Sequence, residues 1–298
     1  MDHLPAGLID GFDRQRITGH QGVTLDVLVG GSGPPLLLLH GYPQTRMAFK
    51  QIAPALAEDF TVVIPDLRGY GRSDKPDHLG TEAYAKRTMA LDQIAVMAAL
   101  GFDRFSLAGH DRGGRVAYRL ALDHPGVVDR LVLLDILPMV VMWERANATS
   151  ALRGYHWYFM AQPAPLPEHM IGLDPEYYLR WKLRGWSADG FDFDPESLND
   201  YLACGSDPPS IHGACEDYRA GWLFDGQHDE DDRQGRRTIT APTLLLWGAD
   251  YSLAKTDPIA VWDPWVDKLE GYAVPGGHFL CEEAPEEVLR RLQAFLTP

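Results

Sequence analysis

Hydrophobic positions in this chain come in short unbroken runs separated by stretches of helical spacing. Leu36-Leu37-Leu38-Leu39 and Leu131-Val132-Leu133-Leu134 carry no polar alternation, the pattern of strands buried on both faces of a sheet. Strand-like runs fall at Val23–Val29, Pro35–Leu39, Phe60–Pro65, Phe105–Gly109, Arg130–Asp135, Thr243–Trp247 and Tyr272–Pro275. Helix candidates lie between several of them, at Arg46–Ala57, Tyr84–Leu100 and Arg115–His124, with a last one at Pro285–Phe295. Such alternation predicts an α/β fold with a mostly parallel β-sheet flanked by helices.

The alternation stops between about Pro138 and Thr240. That stretch keeps helical spacing and holds five of the eight tryptophans, Trp143, Trp157, Trp181, Trp186 and Trp222. It reads as a helical cap inserted between two core strands. The chain then divides into core residues 1–138, cap residues 139–240 and core residues 241–298. The charged run Gln227–Arg237 at the end of the cap reads as exposed surface. Pockets form preferentially at domain interfaces of this kind.

Composition narrows the partners. The 298 residues are 45% hydrophobic and 23% charged, ordinary for a soluble domain. A net charge of −15 argues against nucleic acid or an anionic membrane as a partner. It also requires local positive charge wherever an anion is to be held. Cys204, Cys215 and Cys281 are widely spaced and read as reduced thiols, so neither a disulfide frame nor a zinc site is expected. Met1–Pro5 lacks the basic and apolar regions of a secretory signal, and no apolar run reaches 18 residues. A cytoplasmic protein is the expectation.

Chemistry concentrates at Gly109-His110-Asp111-Arg112-Gly113-Gly114-Arg115. The segment follows the apolar run Phe105-Ser106-Leu107-Ala108 and opens a helical pattern through Val116, Ala117, Leu120 and Ala121. A strand, a sharp Gly-x-nucleophile-x-Gly turn and a helix make a nucleophile elbow, with Asp111 where many hydrolases place a serine. A carboxylate nucleophile points to displacement at saturated carbon through an alkyl–enzyme ester. Arg112 and Arg115 share that turn, and guanidinium groups grip carboxylates by bidentate forks, so the substrate is expected to be a small anion.

Two further turns complete the constellation. His40-Gly41-Tyr42-Pro43 follows an apolar strand, where the backbone N–H of Tyr42 would join that of Arg112 in an oxyanion hole. Gly276-Gly277-His278-Phe279 lies between the last strand and the final helix, where the base belongs. The triad acid is Asp135 or Asp250. Asp135 is preferred because its strand directly follows the elbow helix, leaving Asp250 as a turn residue or helix cap. Asp66-Leu67-Arg68-Gly69-Tyr70-Gly71-Arg72-Ser73 reads as scaffold whose charges pair locally.

With these residues assembled, the chain resembles fluoroacetate dehalogenases, a branch of the α/β-hydrolases. The resemblance rests on Gly109–Arg115, Leu134-Asp135-Ile136-Leu137-Pro138, Tyr155-His156-Trp157, Ala161-Gln162-Pro163-Ala164-Pro165-Leu166-Pro167 and Glu216-Asp217-Tyr218-Arg219-Ala220-Gly221. Its sharpest mark is Arg112, where haloalkane dehalogenases and epoxide hydrolases commonly carry Trp. The resemblance implies an α/β-hydrolase fold with Asp111 as nucleophile, His278 as water-activating base and Asp135 as its partner. It implies that Arg112 and Arg115 bind the substrate carboxylate, while His156, Trp157 and Tyr218 donate to the leaving halide. It further implies fluoroacetate as the preferred 2-haloacid, a homodimer, and no metal or organic cofactor. The rival readings are an epoxide hydrolase, with Tyr155 and Tyr218 as acids, and a non-catalytic binding protein for a small acid.

Overall fold

The computed structural model describes residues 7–297, so Met1–Pro5, read above for targeting signals, lies outside the described residues. Eight strands form one sheet: β1 (Phe12–Thr18), β2 (Thr24–Gly30), β3 (Pro35–Leu39), β4 (Thr61–Pro65), β5 (Phe105–His110), β6 (Val128–Leu134), β7 (Thr243–Gly248) and β8 (Leu269–Val274). Their spatial order is β1-β2-β4-β3-β5-β6-β7-β8. β2 runs antiparallel to β1 and β4, and every other neighbouring pair is parallel. Leu36–Leu39 and Leu131–Leu134 are completely buried at the sheet centre, as their unbroken apolar runs require.

Three elements depart from the sequence reading, each for a physical reason. β1 was not foreseen: only Phe12 and Ile17 of Phe12-Asp13-Arg14-Gln15-Arg16-Ile17-Thr18 are buried, so an edge strand leaves little hydrophobic signal. The other edge strand, β8, begins three residues earlier than expected, because its outward residues are mixed in character. The helix expected over Arg46–Ala57 is a tight turn at Arg46–Phe49 followed by a short helix at Ala53–Leu56, with Pro54 in its first turn.

Between β6 and β7 the chain builds helices at Met139–Glu144, Ala148–Arg153, Tyr155–Met160, Leu166–Gly172, Pro175–Trp186, Pro195–Gly205, Pro208–Ala220 and Gly226–Gln234. Several starts are written in the sequence. Asp174 and Asp194 accept the N–H groups of Tyr177 and Ser197, each just ahead of a proline in the first turn. The run Gln227–Arg237 is not a plain exposed face. Asp229 and Asp232 are buried, and both pair with Arg119 on the helix Asp111–Asp123, while Tyr118 Oη donates to Asp229 at 2.9 Å. The run docks this last insert helix onto the core. The charges of Asp66–Ser73 do not pair only locally as expected: Asp66 accepts the N–H groups of Arg46 and Arg72 at 2.9 Å, but Arg68 pairs with Asp92 at 2.8 Å and Arg72 with Asp200, because each guanidinium is buried against another element.

Candidate active site

β5 ends at His110 and the helix starts at Asp111, whose φ of +46° lies in the left-handed region. Such a backbone costs about 1–3 kcal/mol for a non-glycine residue and persists only where its surroundings impose it. Here the neighbouring glycines impose it. A Cβ on Gly113 would stand 2.3 Å from the Leu39 carbonyl oxygen, and one on Gly41 would stand 2.4 Å from Asp111 Cβ. The elbow helix therefore presses backbone to backbone against β3.

Parallel register brings the rest together. Leu39 pairs with Gly109, so the turn after β3 lies beside the elbow. There the Tyr42 N–H donates to Asp111 Oδ1 at 2.8 Å. Among the described residues no such bond to Asp111 comes from the Arg112 amide, so only one of the two expected backbone donors is in place. β6 ends one residue before Asp135, which also has a positive φ, +53°. Asp135 accepts from the Gly248 N–H at 3.1 Å and holds His278 Nδ1 at 2.5 Å. His278 Nε2 then faces Asp111 Oδ2 at 3.8 Å. Asp250 is exposed, tied by its N–H to the Gly276 carbonyl at 3.0 Å, and does not touch His278. The Trp186 carbonyl, at the end of an insert helix, accepts the His278 N–H at 2.8 Å and so ties His278 to the insert.

The insert closes the site from the other side. A cleft of about 680 Å³ is lined by Asp111, Arg115, His156, Trp157, Lys182 and His278, among others. Tyr218 and Arg112 are buried behind this lining. His156 and Trp157 each meet Tyr218 edge to face, at 5.5 Å between ring centroids. The Arg112 guanidinium lies 4.3 Å from the Tyr218 ring centre, and that of Arg115 lies 4.7 Å from Trp157. The structure thus gathers Asp111, Asp135, His278, Tyr42, Arg112, Arg115, His156, Trp157 and Tyr218 around one place.

Arg112 is held in a way the sequence did not reveal. Asp217 Oδ2 accepts from its Nε at 2.9 Å and Asp217 Oδ1 from its Nη2 at 2.7 Å. Asp217 also pairs with Lys86 and accepts from Tyr70 Oη at 2.6 Å. A fully buried arginine demands a carboxylate partner, and that demand was the one signal pointing to Asp217, next to Tyr218. Among the described residues, Arg112 Nη1, Arg115 Nε and His156 Nδ1 find no hydrogen-bond partner and are buried.

Protonation follows from these contacts. Burial pushes the Asp111 carboxyl up, but His278, Arg112, His110 and Arg115 outweigh it and hold Asp111 below the usual range. Burial pulls His278 down, yet its bond to Asp135 and the nearby carboxylates leave it above the ordinary histidine value. Burial first, then Lys182 and Arg112, pushes His156 well below that value, so its imidazole is neutral and carries one N–H. The one group of metal-ligand types among the described residues, Glu168, His212 and Glu216, lies outside the cleft, and Arg219 already pairs with both glutamates at 2.7 and 2.6 Å.

Residues 34–285 match the family model described as alpha/beta hydrolase fold. The chain belongs to the α/β hydrolase fold family. Within it, this hydrolase is 45% identical to a fluoroacetate dehalogenase from Burkholderia sp, over 97% of this chain and 95% of that protein. It is 34% identical to a soluble epoxide hydrolase from Corynebacterium sp., over 95% of this chain and 98% of the other. Among solved structures, ALR0039 from Nostoc superposes with a TM-score of 0.92 at 45% identity, covering 97% of this chain and 99% of that one. No helix among the described residues of the hydrolase is long and apolar enough to cross a membrane.

Proposed function

We propose that this hydrolase removes halide from short 2-haloacids, foremost fluoroacetate, giving glycolate and fluoride. The observation that carries the reading is the set of buried, unpartnered nitrogens around Asp111: Arg112 Nη1, Arg115 Nε and His156 Nδ1. Each unmet buried donor costs about 1–3 kcal/mol. A haloacetate meets the need at both ends, its carboxylate on the arginines and its halogen on the side of His156, Trp157 and Tyr218. The 45% identity to a fluoroacetate dehalogenase supports the same reading.

Asp111 Oδ2, free of hydrogen bonds, attacks the carbon bearing the halogen from the core side. The carbon–halogen bond breaks away from it, and the halide leaves with the electron pair towards the insert donors. Hydrogen bonds to a charged group contribute about 1.5–3 kcal/mol each, so three donors lower the barrier by several kcal/mol where they tighten on the departing ion. His278, oriented by Asp135, then takes a proton from water, and the hydroxide adds to the Asp111 ester carbonyl while the Tyr42 N–H steadies its oxygen. Collapse releases glycolate and restores the Asp111 carboxylate.

The identity to a soluble epoxide hydrolase favours a second reading, in which Asp111 opens an epoxide and Tyr155 or Tyr218 protonates the oxide. Two arginines beside the nucleophile serve no purpose for that neutral substrate. The homodimer expected from the resemblance belongs to this proposal too, and the exposed insert residues Leu166, Met170, Leu173, Tyr177 and Trp181 offer it an apolar face. The test is fluoride and chloride release from fluoroacetate, chloroacetate and 2-fluoropropionate, beside diol formation from an epoxide panel. In His278→Asn the peptide bearing Asp111 should gain the mass of one carboxymethyl group. Diols from the epoxides with inert haloacids would reverse the assignment.

A further inference from the structure

Lys182 lines the cleft from the helix Pro175–Trp186 and is only 1% exposed. No carboxylate pairs with it among the described residues. Its Nζ lies instead 3.5 Å from the ring centre of Tyr155, with the rings of Trp186 and Tyr178 at 5.3 and 5.4 Å. Aromatic faces compensate an ammonium only weakly. Burial pushes the amine down to about 7, so near neutrality Lys182 is a partly charged group with no counter-ion.

The other basic groups of the cleft are placed differently: Arg153 and Lys255 line it as exposed side chains. Arg112 faces Asp217, Lys86 is shared between Asp217 and Asp225, and Arg115 stands near the Asp111 carboxylate. Asp135 adds a further negative charge beside His278, within a protein of net charge −15. Among the described residues, Lys182 is the buried basic group of the cleft that has no carboxylate beside it. We propose that the Lys182 ammonium, caged by Tyr155, Tyr178 and Trp186, recruits small carboxylate anions into the cleft and passes them to Arg112 and Arg115. Lys182 is a recruiting residue, separate from the displacement step, and the inference rests on the haloacid reading for the identity of the anion.

The test compares wild type with Lys182→Met, Lys182→Gln and Lys182→Arg in mildly acidic buffer. Acetate is titrated against tryptophan fluorescence, since Trp157 and Trp186 line the cleft. Removing one unmatched charge should weaken acetate binding, and raise KM for fluoroacetate, about five- to tenfold, with kcat within about twofold. Lys182→Arg should restore most of the binding. Lys182→Met should also melt higher than wild type, because a buried unpaired charge gives way to an apolar side chain of similar length. Wild-type acetate affinity in both Met and Gln variants overturns the proposal, as does a lower melting temperature together with no rescue by arginine. Lys182-dependent acetate binding without halide release would defeat the haloacid reading and leave this inference standing.

Discussion

Replacing Asp217 by asparagine tests the charge network beneath the site. The Asp217 carboxylate accepts from Arg112 Nε and Nη2, from Lys86 and from Tyr70. An asparagine in its place keeps one side-chain oxygen but loses the charge, leaving Arg112 with the residue's backbone carbonyl, at 2.9 Å, and Lys86 with the Tyr84 carbonyl, at 3.4 Å, and with Asp225 as its remaining carboxylate, at 3.9 Å. Removing one partner from a buried pair costs about 3–5 kcal/mol, because the other charge stays buried and unmet. Against a total stability of about 5–15 kcal/mol, that is a large loss. Urea unfolding of wild type, Asp217→Asn, Arg112→Gln and the double variant, followed by tryptophan fluorescence, measures it. The double variant should be more stable than Asp217→Asn alone, since it removes a stranded guanidinium. Burial alone would raise the Asp217 pKa, but Arg112 and Lys86 outweigh it and hold it well below the usual range. A depressed folded-state pKa gives stability present above the unfolded value, about 3.9, and lost as pH falls further. The gap between wild type and Asp217→Asn should therefore narrow in acid. A single-variant loss below about 1 kcal/mol, or strictly additive effects in the double variant, would refute the network.

Two other outcomes follow from the elbow and the base. Gly113→Ala sets a Cβ 2.3 Å from the Leu39 carbonyl oxygen, and overpacking of this kind costs about 1–3 kcal/mol or more; a melting temperature and turnover equal to wild type would contradict the close packing. His278 lies above the ordinary histidine value and must be neutral to take a proton from water, so hydrolysis of the ester in single-turnover experiments should quicken as pH rises. A rate independent of pH between 5 and 9, roughly the range histidine titration spans, would remove His278 as the base.

Legibility in the sequence divided along one line. Elements buried on both faces announced themselves: β3 and β6 are runs of Leu and Val, and the elbow glycines mark where backbones touch. Asp111, Asp135 and His278 were readable because each ends or follows such a strand. Edge strands were less so: β1, which buries only Phe12 and Ile17, was missed, and β8 was read only in its second half. Charged residues that pair across long separations were also hidden. Asp217 with Arg112 lies 105 positions apart, and Asp229 with Arg119 lies 110 apart, so nothing local in either run reveals its partner. The run Gln227–Arg237 looked solvated for that reason.

In the proposed reaction the same kind of group does opposite work at Asp111 and Asp135, and environment alone divides them. Both follow buried strands and both sit at positive φ. Asp135 is engaged at each oxygen, at one by the Gly248 N–H and at the other by His278. Asp111 is committed at Oδ1 only, which leaves Oδ2 the freer of the two carboxylate faces for attack. Alkylation of Oδ2 would erase the Asp111 charge, one of the influences that hold the His278 pKa up. The imidazole would then give up a proton more readily in the ester than in the free enzyme. Before alkylation a protonated His278 favours an incoming anion, and after it a neutral His278 is the form that activates water. On this reading the nucleophile's change of charge times the change in its base, with no movement of the fold required.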